Sequence, residues 1–133
     1  MTEVGLVKYL TKSKVNAERM IEQREKNEVI FKLPFNSKRK RATTVIKHPS
    51  QAGKVRVFVK GAPELVIEKC INYLGQRGEV MEMTPEKRDR IIYEDVVKKF
   101  AKKCYRTLLL AYADYDEAKW EEFKAVHNNF DTL

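Results

Sequence analysis

The sequence predicts an α/β (α+β) domain, a mainly antiparallel sheet with helices packed on it. Three observations predict it. Residues 41–60 hold two strand-like runs around Pro49-Ser50-Gln51-Ala52-Gly53, which reads as a hairpin. Thr107 to Ala113 is a near-continuous apolar run, which predicts a central strand covered on both faces. Helical periodicity recurs between and around these strands, and a chain of 133 residues fits one domain, 1–133.

Taken in order, Thr2 to Leu10 reads as a helix with Thr2 as N-cap and Val4, Leu6, Val7 and Leu10 apolar. Lys14 to Lys26 is heavily charged and predicts a helix packing one narrow stripe of Val15, Ala17, Met20 and Ile21. Val29 to Leu33 reads as a strand that Pro34 ends or places at an edge. Arg41 to Lys47 and Lys54 to Lys60 are the two strands of the hairpin, the first rich in β-branched Thr43, Thr44, Val45 and Ile46. Pro63 to Tyr73 reads as a helix with Leu65, Val66, Ile67, Cys70, Ile71 and Leu74 on its apolar side, ended by Gly75 and Gly78. Val80 to Met83 is a short strand. Thr84 then caps the longest predicted helix, with Pro85 at its first position and Ile91, Ile92, Val96, Phe100 and Cys104 at helical spacing through residue 104. Glu117 to Val126 predicts a last helix anchored by Trp120 and Phe123, and residues 128–133 a frayed tail.

Basic residues number 27 against 19 acidic, a net charge of +8, which favours polyanionic partners without choosing among nucleotide, nucleic acid and anionic membrane. Cys70 and Cys104 lack metal-site spacing and have only two histidines to assist, which argues against zinc. Both read as reduced, buried small hydrophobes, and His48 and His127 as surface residues. There is no signal peptide and no apolar run near the ~18 residues that span a bilayer, so the chain is expected to be soluble.

Lys60-Gly61-Ala62-Pro63-Glu64 carries the most chemistry. It closes a strand with an amine and two small residues, which suits a phosphate-bearing ligand; equally, Gly61-Ala62 can simply turn the chain into a helix begun by Pro63. Phe35 follows a strand and precedes polar and basic residues, so its ring is either free to stack on a base or a plug at the core edge. Ser37-Lys38-Arg39-Lys40-Arg41 reads as a solvated face, a nucleic-acid or import patch, or the rim of a nucleotide site, with alternate residues facing one way as the run enters a strand. Glu3 alone is a first-turn glutamate favoured by the helix dipole, and Arg106 alone a strand-entry charge in water.

Thr2-Glu3, Phe35-Asn36-Ser37-Lys38-Arg39-Lys40, Lys60-Gly61-Ala62-Pro63-Glu64 and Arg106-Thr107-Leu108, in this order, resemble the nucleotide-binding domain of P-type cation-transporting ATPases. The likeness is greatest to the type II calcium pumps of the plasma-membrane, calmodulin-regulated type, and covers residue 2 to about residue 115. It implies that domain's fold and an ATP site made by Glu3, Phe35, Ser37, Lys40, Lys60, Gly61, Ala62, Arg106 and Leu108. By resemblance, adenine stacks on Phe35 and its amino group donates to Glu3. Lys40 lines the pocket and Lys60 lies at its back. Gly61 and Ala62 let the nucleotide approach the backbone. Arg106 contacts phosphates and Leu108 walls the base. Ala42 departs from the family pattern, which has methionine there, and removes apolar packing near the site.

The resemblance further implies ATP, as Mg-ATP in the intact pump, and partner domains for phosphorylation and actuation in the same parent chain. It implies no nucleic acid, and a membrane only through transmembrane helices lying elsewhere in the parent. The domain would then be the cytosolic part of an integral membrane protein, a calcium-transporting ATPase. The Asp-Lys-Thr-Gly-Thr phosphorylation motif, the Thr-Gly-Glu-Ser motif and the aspartate-rich hinge are absent from these residues. No catalytic or metal-ligating residue is therefore expected here, and the chain alone is expected to bind nucleotide without turnover. The chain starts almost on Thr2-Glu3, so the first strands of the domain are expected to be missing and Met1 to have been supplied at a cut. The competing functions are a basic nucleic-acid-binding module and a protein-interaction domain.

Overall fold

The computed structural model describes residues 2–126; His127 and the tail read at 128–133 lie outside them. Its centre is a four-stranded antiparallel sheet in the order β1-β2-β3-β6: β1 (Val29–Asn36), β2 (Arg41–Lys47), β3 (Lys54–Gly61) and β6 (Leu109–Asp116). A second sheet pairs β4 (Asn72–Leu74) with β5 (Val80–Glu82). The helices are α1 (Thr2–Lys12), α2 (Ala17–Lys26), α3 (Pro63–Val66), α4 (Pro85–Arg90) and α5 (Glu117–Val126). This is the expected α+β architecture.

The pleat sets the core. Val45 of β2 lies opposite Val57 of β3, which lies opposite Ala113 of β6. One face of the sheet therefore presents small and β-branched side chains, and α5 lies on it. Val45, Val55, Val57 and Trp120 form the buried cluster, with Ile30, Phe31, Val59 and Phe123 packed around it. The Trp120 ring sits 5.6 Å from that of Phe31, a tilted contact worth about 0.5–1.5 kcal/mol beyond the area it buries. The predicted anchoring role of Trp120 is borne out.

The hairpin of β2 and β3, α5 and the Thr84 cap follow the sequence reading. The Thr84 side chain accepts from the Lys87 N–H at 3.2 Å. Other elements differ. β1 does not stop at Pro34 but runs to Asn36. It is an edge strand whose register breaks between Leu33 and Asn36, so the missing N–H of Pro34 is accommodated outside the regular ladder. The predicted helix 63–73 ends early. α3 tightens into a 3₁₀ turn, Ile67–Lys69, and residues 72–74 become β4. The Gly75–Gly78 segment, with Gly78 at φ 81°, closes a hairpin that claims those residues, and Ile71 is 79% exposed. A short apolar run does not by itself distinguish helix from strand.

The long helix also breaks. After α4 the chain widens into a π-helical segment, Ile91–Lys98, then a 3₁₀ turn, Ala101–Lys103, that stops at Cys104 in the left-handed region (φ 56°). β-branched Ile91, Ile92, Val96 and Val97 crowd this stretch and weaken its α preference. Cys104 is exposed rather than buried, and Cys70 is half-buried with its Sγ donating to the Val66 carbonyl at 3.4 Å. Burial pushes the Cys70 thiol pKa up.

β6 is not a central strand. Among the described residues it pairs only with β3, and its residues alternate from Leu109 to Ala113 between half-buried and exposed. Its apolar continuity came from alanines at 111 and 113, small enough to fit beneath α5, alternating with exposed Leu110 and Tyr112. α1 and α2 bury none of their residues, so the stripe expected on α2 is largely in solvent, with Ile21 exposed. Asn16 caps α2 by accepting the Glu18 N–H at 2.8 Å.

Candidate functional site

The site residues named from the sequence gather at one end of the sheet, where β1 and β3 finish and β2 and β6 start. β1 delivers Phe35 to the rim, where the residue is 64% exposed. An exposed aromatic on an edge strand stabilises no core, so the ring is available to a planar ligand. Residues 37–40 form a turn rather than an alternating strand entry, which corrects the expected facing of the basic run. Asn36 builds that turn: its side-chain oxygen accepts from the Lys38 N–H at 2.8 Å and from the Arg39 N–H at 3.3 Å. The Arg39 guanidinium donates to the Pro34 carbonyl at 2.9 Å and ties the turn back to β1. Ser37 and Lys40 are exposed on it.

Lys40 sits at φ 50°, which aims its carbonyl back at the end of β3. That carbonyl accepts from the Ala62 N–H at 3.0 Å. Gly61 is buried against the same turn: a Cβ there would lie 2.6 Å from the Lys40 carbonyl oxygen and 2.7 Å from the Arg41 Cβ. The small residue thus lets the chain's own backbone approach, and on that side the space is filled by the turn. This is a different use of Gly61 from the nucleotide approach implied by the resemblance.

Lys60 lies on the opposite sheet face from the core, in one row with Ala42 and Leu110. Its ammonium donates to the Glu3 carboxylate of α1. That hydrogen bond, reinforced by the lysine's charge, lowers the Glu3 pKa. The structure therefore brings Glu3 and Lys60 together, and the acceptor expected to face a base is here engaged by the lysine. Two residues along β3 from Lys60 the same face carries Phe58 and its neighbour Tyr112, ring centroids 6.4 Å apart.

Further along lies a charged cluster that the sequence reading missed. Arg56 grips Asp114 through two hydrogen bonds, Nε to Oδ1 at 2.7 Å and Nη2 to Oδ2 at 2.9 Å, and its guanidinium covers the Tyr112 ring at 4.6 Å. His48 was expected at the surface, yet its side chain is 4% exposed, with Nε2 3.4 Å from Asp114 Oδ2. Its Nδ1 accepts from the Gln51 N–H at 3.0 Å and holds the β2–β3 turn. The Arg56 hydrogen bonds hold the Asp114 carboxyl below its ordinary value and raise the Arg56 pKa. The only sequence signal was opposite charges that face each other once β3 and β6 are paired.

Arg106 and Leu108 reach the same end of the sheet, just ahead of Leu109, which pairs with Gly61. They precede β6 and line an open, mostly apolar groove of about 480 Å³ with Pro63, Val96, Phe100 and Tyr105. Phe35, Lys60 and Glu3 are not among the groove's walls. Among the described residues no group of three or more His, Cys, Asp or Glu side chains could hold a metal ion. No described helix is long and apolar enough to cross a membrane.

Residues 1–132 match the family described as P-type ATPase, cytoplasmic domain N, and the chain belongs to that family. Its curated relatives name a narrower group. It is 38% identical over 96 residues to calcium-transporting ATPase 4, plasma membrane-type, of Arabidopsis thaliana, covering 72% of this chain and 9% of the relative. It is 32% identical over 123 residues to plasma membrane calcium-transporting ATPase 3 of Rattus norvegicus, covering 90% and 10%. It is 32% identical over 108 residues to calcium-transporting ATPase PAT1 of Dictyostelium discoideum, covering 81% and 9%. The chain spans about a tenth of the length of these relatives.

Proposed function

We propose that this domain binds ATP, chiefly by its adenine base, and that within a longer calcium-transporting pump chain it holds the γ-phosphate toward an aspartate of a separate phosphorylation domain. The observation that carries the reading is the exposed Phe35 ring beside a turn whose Lys40 carbonyl is hydrogen-bonded to Ala62 next to Lys60. A stacking platform and an ammonium are thus fixed to one end of one sheet. Base stacking contributes roughly 1–3 kcal/mol as assayed by alanine substitution. Lys60 with Glu3 offers a donor and an acceptor to the base edge, and Lys40 and Arg106 offer positive charge to the phosphates, screened by solvent. Ser37, Ala62 and Leu108 complete the site, and Gly61 supports it by seating the turn.

The residues present suit a nucleotide's base end. The chemistry that ATP supplies is phosphoryl transfer, and this chain's part in it is positioning. Mg²⁺ would arrive with the nucleotide as Mg-ATP. The parent would be a cytosol-facing membrane pump of the plasma-membrane type, with an actuator domain in the same chain. The names of the relatives and the family match support that placement.

The isolated chain is expected to bind ATP weakly, with Kd on the order of 0.1–10 mM, because one ring and a few exposed cations act with no second domain closing over them. Calorimetric titration with ATP and ADP tests this: the two should agree within about tenfold if the base dominates. Absence of binding to either nucleotide at 20 mM, about twice the weakest expected Kd, would remove the reading. Incubation with γ-labelled ATP and Mg²⁺ should leave no acid-stable, hydroxylamine-labile label on the protein.

A further inference from the structure

The groove ahead of β6 has features that the nucleotide reading, which takes only Arg106 and Leu108 from it, leaves unused. The turn from Phe100 to Tyr105 is closed by the Tyr105 N–H donating to the Phe100 carbonyl at 3.1 Å, and the two rings lie 6.4 Å apart. Both rings are walls of the groove. Lys102 and Lys103 are exposed on the same turn between them, and Arg106 follows directly. Lys98 and Lys99 are neutralised within the preceding segment by Glu94 at 3.1 Å and Asp95 at 2.6 Å. Lys102, Lys103 and Arg106 have no carboxylate partner among the described residues. Apolar walls are thus bordered by three uncompensated cations.

We propose that this groove is a docking surface for an acidic, amphipathic peptide segment of a partner protein, which seats an apolar anchor between Val96, Phe100 and Tyr105 and sets its carboxylates against Lys102, Lys103 and Arg106. Charge complementarity chooses the occupant. A basic segment would meet three like charges, and a neutral one would leave them unmatched. The open groove of about 480 Å³ admits a large side chain or two, the size of anchor that dominates peptide docking. The groove shares Arg106 and Leu108 with the nucleotide site proposed above, whereas Lys102, Lys103 and Phe100 are absent from it, so variants at those three positions test the peptide reading separately.

The probe is a fluorescein-labelled helical peptide with leucines on one face and glutamates elsewhere, followed by anisotropy with this chain. Three controls accompany it: the same peptide with lysine for every glutamate, the glutamate peptide with alanine for every leucine, and phosphatidylserine vesicles. The glutamate–leucine peptide should bind, and each control peptide should bind at least about tenfold more weakly. The variant carrying Lys102→Glu and Lys103→Glu should lose about tenfold or more for the acidic peptide and gain for the lysine peptide. Both changes are at exposed positions, and an unaltered thermal melt shows that the fold is kept. Phe100→Ala should weaken the acidic peptide while leaving its preference over the lysine peptide intact. Equal binding of acidic and basic peptides, no effect of the double charge reversal, or binding to vesicles in place of peptide would each overturn the assignment.

Discussion

A methyl group added at Gly61 meets backbone in a place where nothing can rotate away. Its Cβ would stand 2.6 Å from the Lys40 carbonyl oxygen, 2.7 Å from the Arg41 Cβ and 3.0 Å from the Arg41 Cα. Either β3 separates from β2 at the Arg41–Gly61 pair or the 37–40 turn lifts. Overpacking of this kind costs about 1–3 kcal/mol, and contacts to main-chain atoms place Gly61→Ala in the upper half, about 2–3 kcal/mol. Against a total stability of about 5–15 kcal/mol that is a large fraction. With a urea slope of about 2 kcal/mol per molar, the midpoint should fall by about 1 M. Gly5→Ala is the control. It adds a Cβ with nothing within 4 Å, inside α1, and should be neutral or stabilising by up to about 1 kcal/mol. Urea unfolding followed by circular dichroism reads both. The same displacement should weaken ATP binding in Gly61→Ala, because it moves the turn that links Phe35 to Lys60. A midpoint within about 0.2 M of the parent, with ATP affinity unchanged, would refute the claim that Gly61 exists to seat the turn.

Phe35→Ala should leave stability within about 0.5 kcal/mol, since its ring is mostly exposed, yet weaken ATP binding by roughly 1–3 kcal/mol; paired melts and titrations check both, and a destabilised variant would make Phe35 a core plug. Asp114→Asn should cost about 1 kcal/mol at neutral pH through loss of the Arg56 pair. Because the folded carboxyl is held below its ordinary value, this contribution is complete above the unfolded value and disappears as pH falls through the folded one. The gap between parent and Asp114→Asn in thermal melts should therefore close below about pH 4, and a gap that persists there would place the effect outside the carboxylate's charge.

Local chemistry made the β2–β3 hairpin legible. β-branched residues from Thr43 to Ile46, a Pro-to-Gly turn and alternating Val55, Val57 and Val59 all favour one structure. Trp120 likewise announced α5. What was not legible depended on who pairs with whom. β6 looked central because alanines and leucines are equally apolar in sequence, although only its small residues lie under α5. Residues 72–74 read as helix until the Gly75–Gly78 turn supplied them a strand partner. At the candidate site, Phe35 and Lys60 could be named from sequence, but not that Glu3, 57 residues away, would hold the lysine's ammonium. Nor could sequence say that Gly61 would be occupied by Lys40's carbonyl, or that His48 would be enclosed beside the Arg56–Asp114 pair. Those facts arise from strand order, which single residues do not encode.

The central claim is that one end of the sheet binds adenine nucleotide. Amide chemical shifts of the isotope-labelled chain, recorded during an ATP titration, test it most directly. The account predicts saturable shifts concentrated at Glu3, Phe35 to Lys40 and Lys60 to Ala62, larger than those at Lys102 and Lys103, and retained when ADP replaces ATP. Shifts confined to residues 98–106, or amides of Phe35 and Lys60 that stay still at saturating ATP, would contradict it.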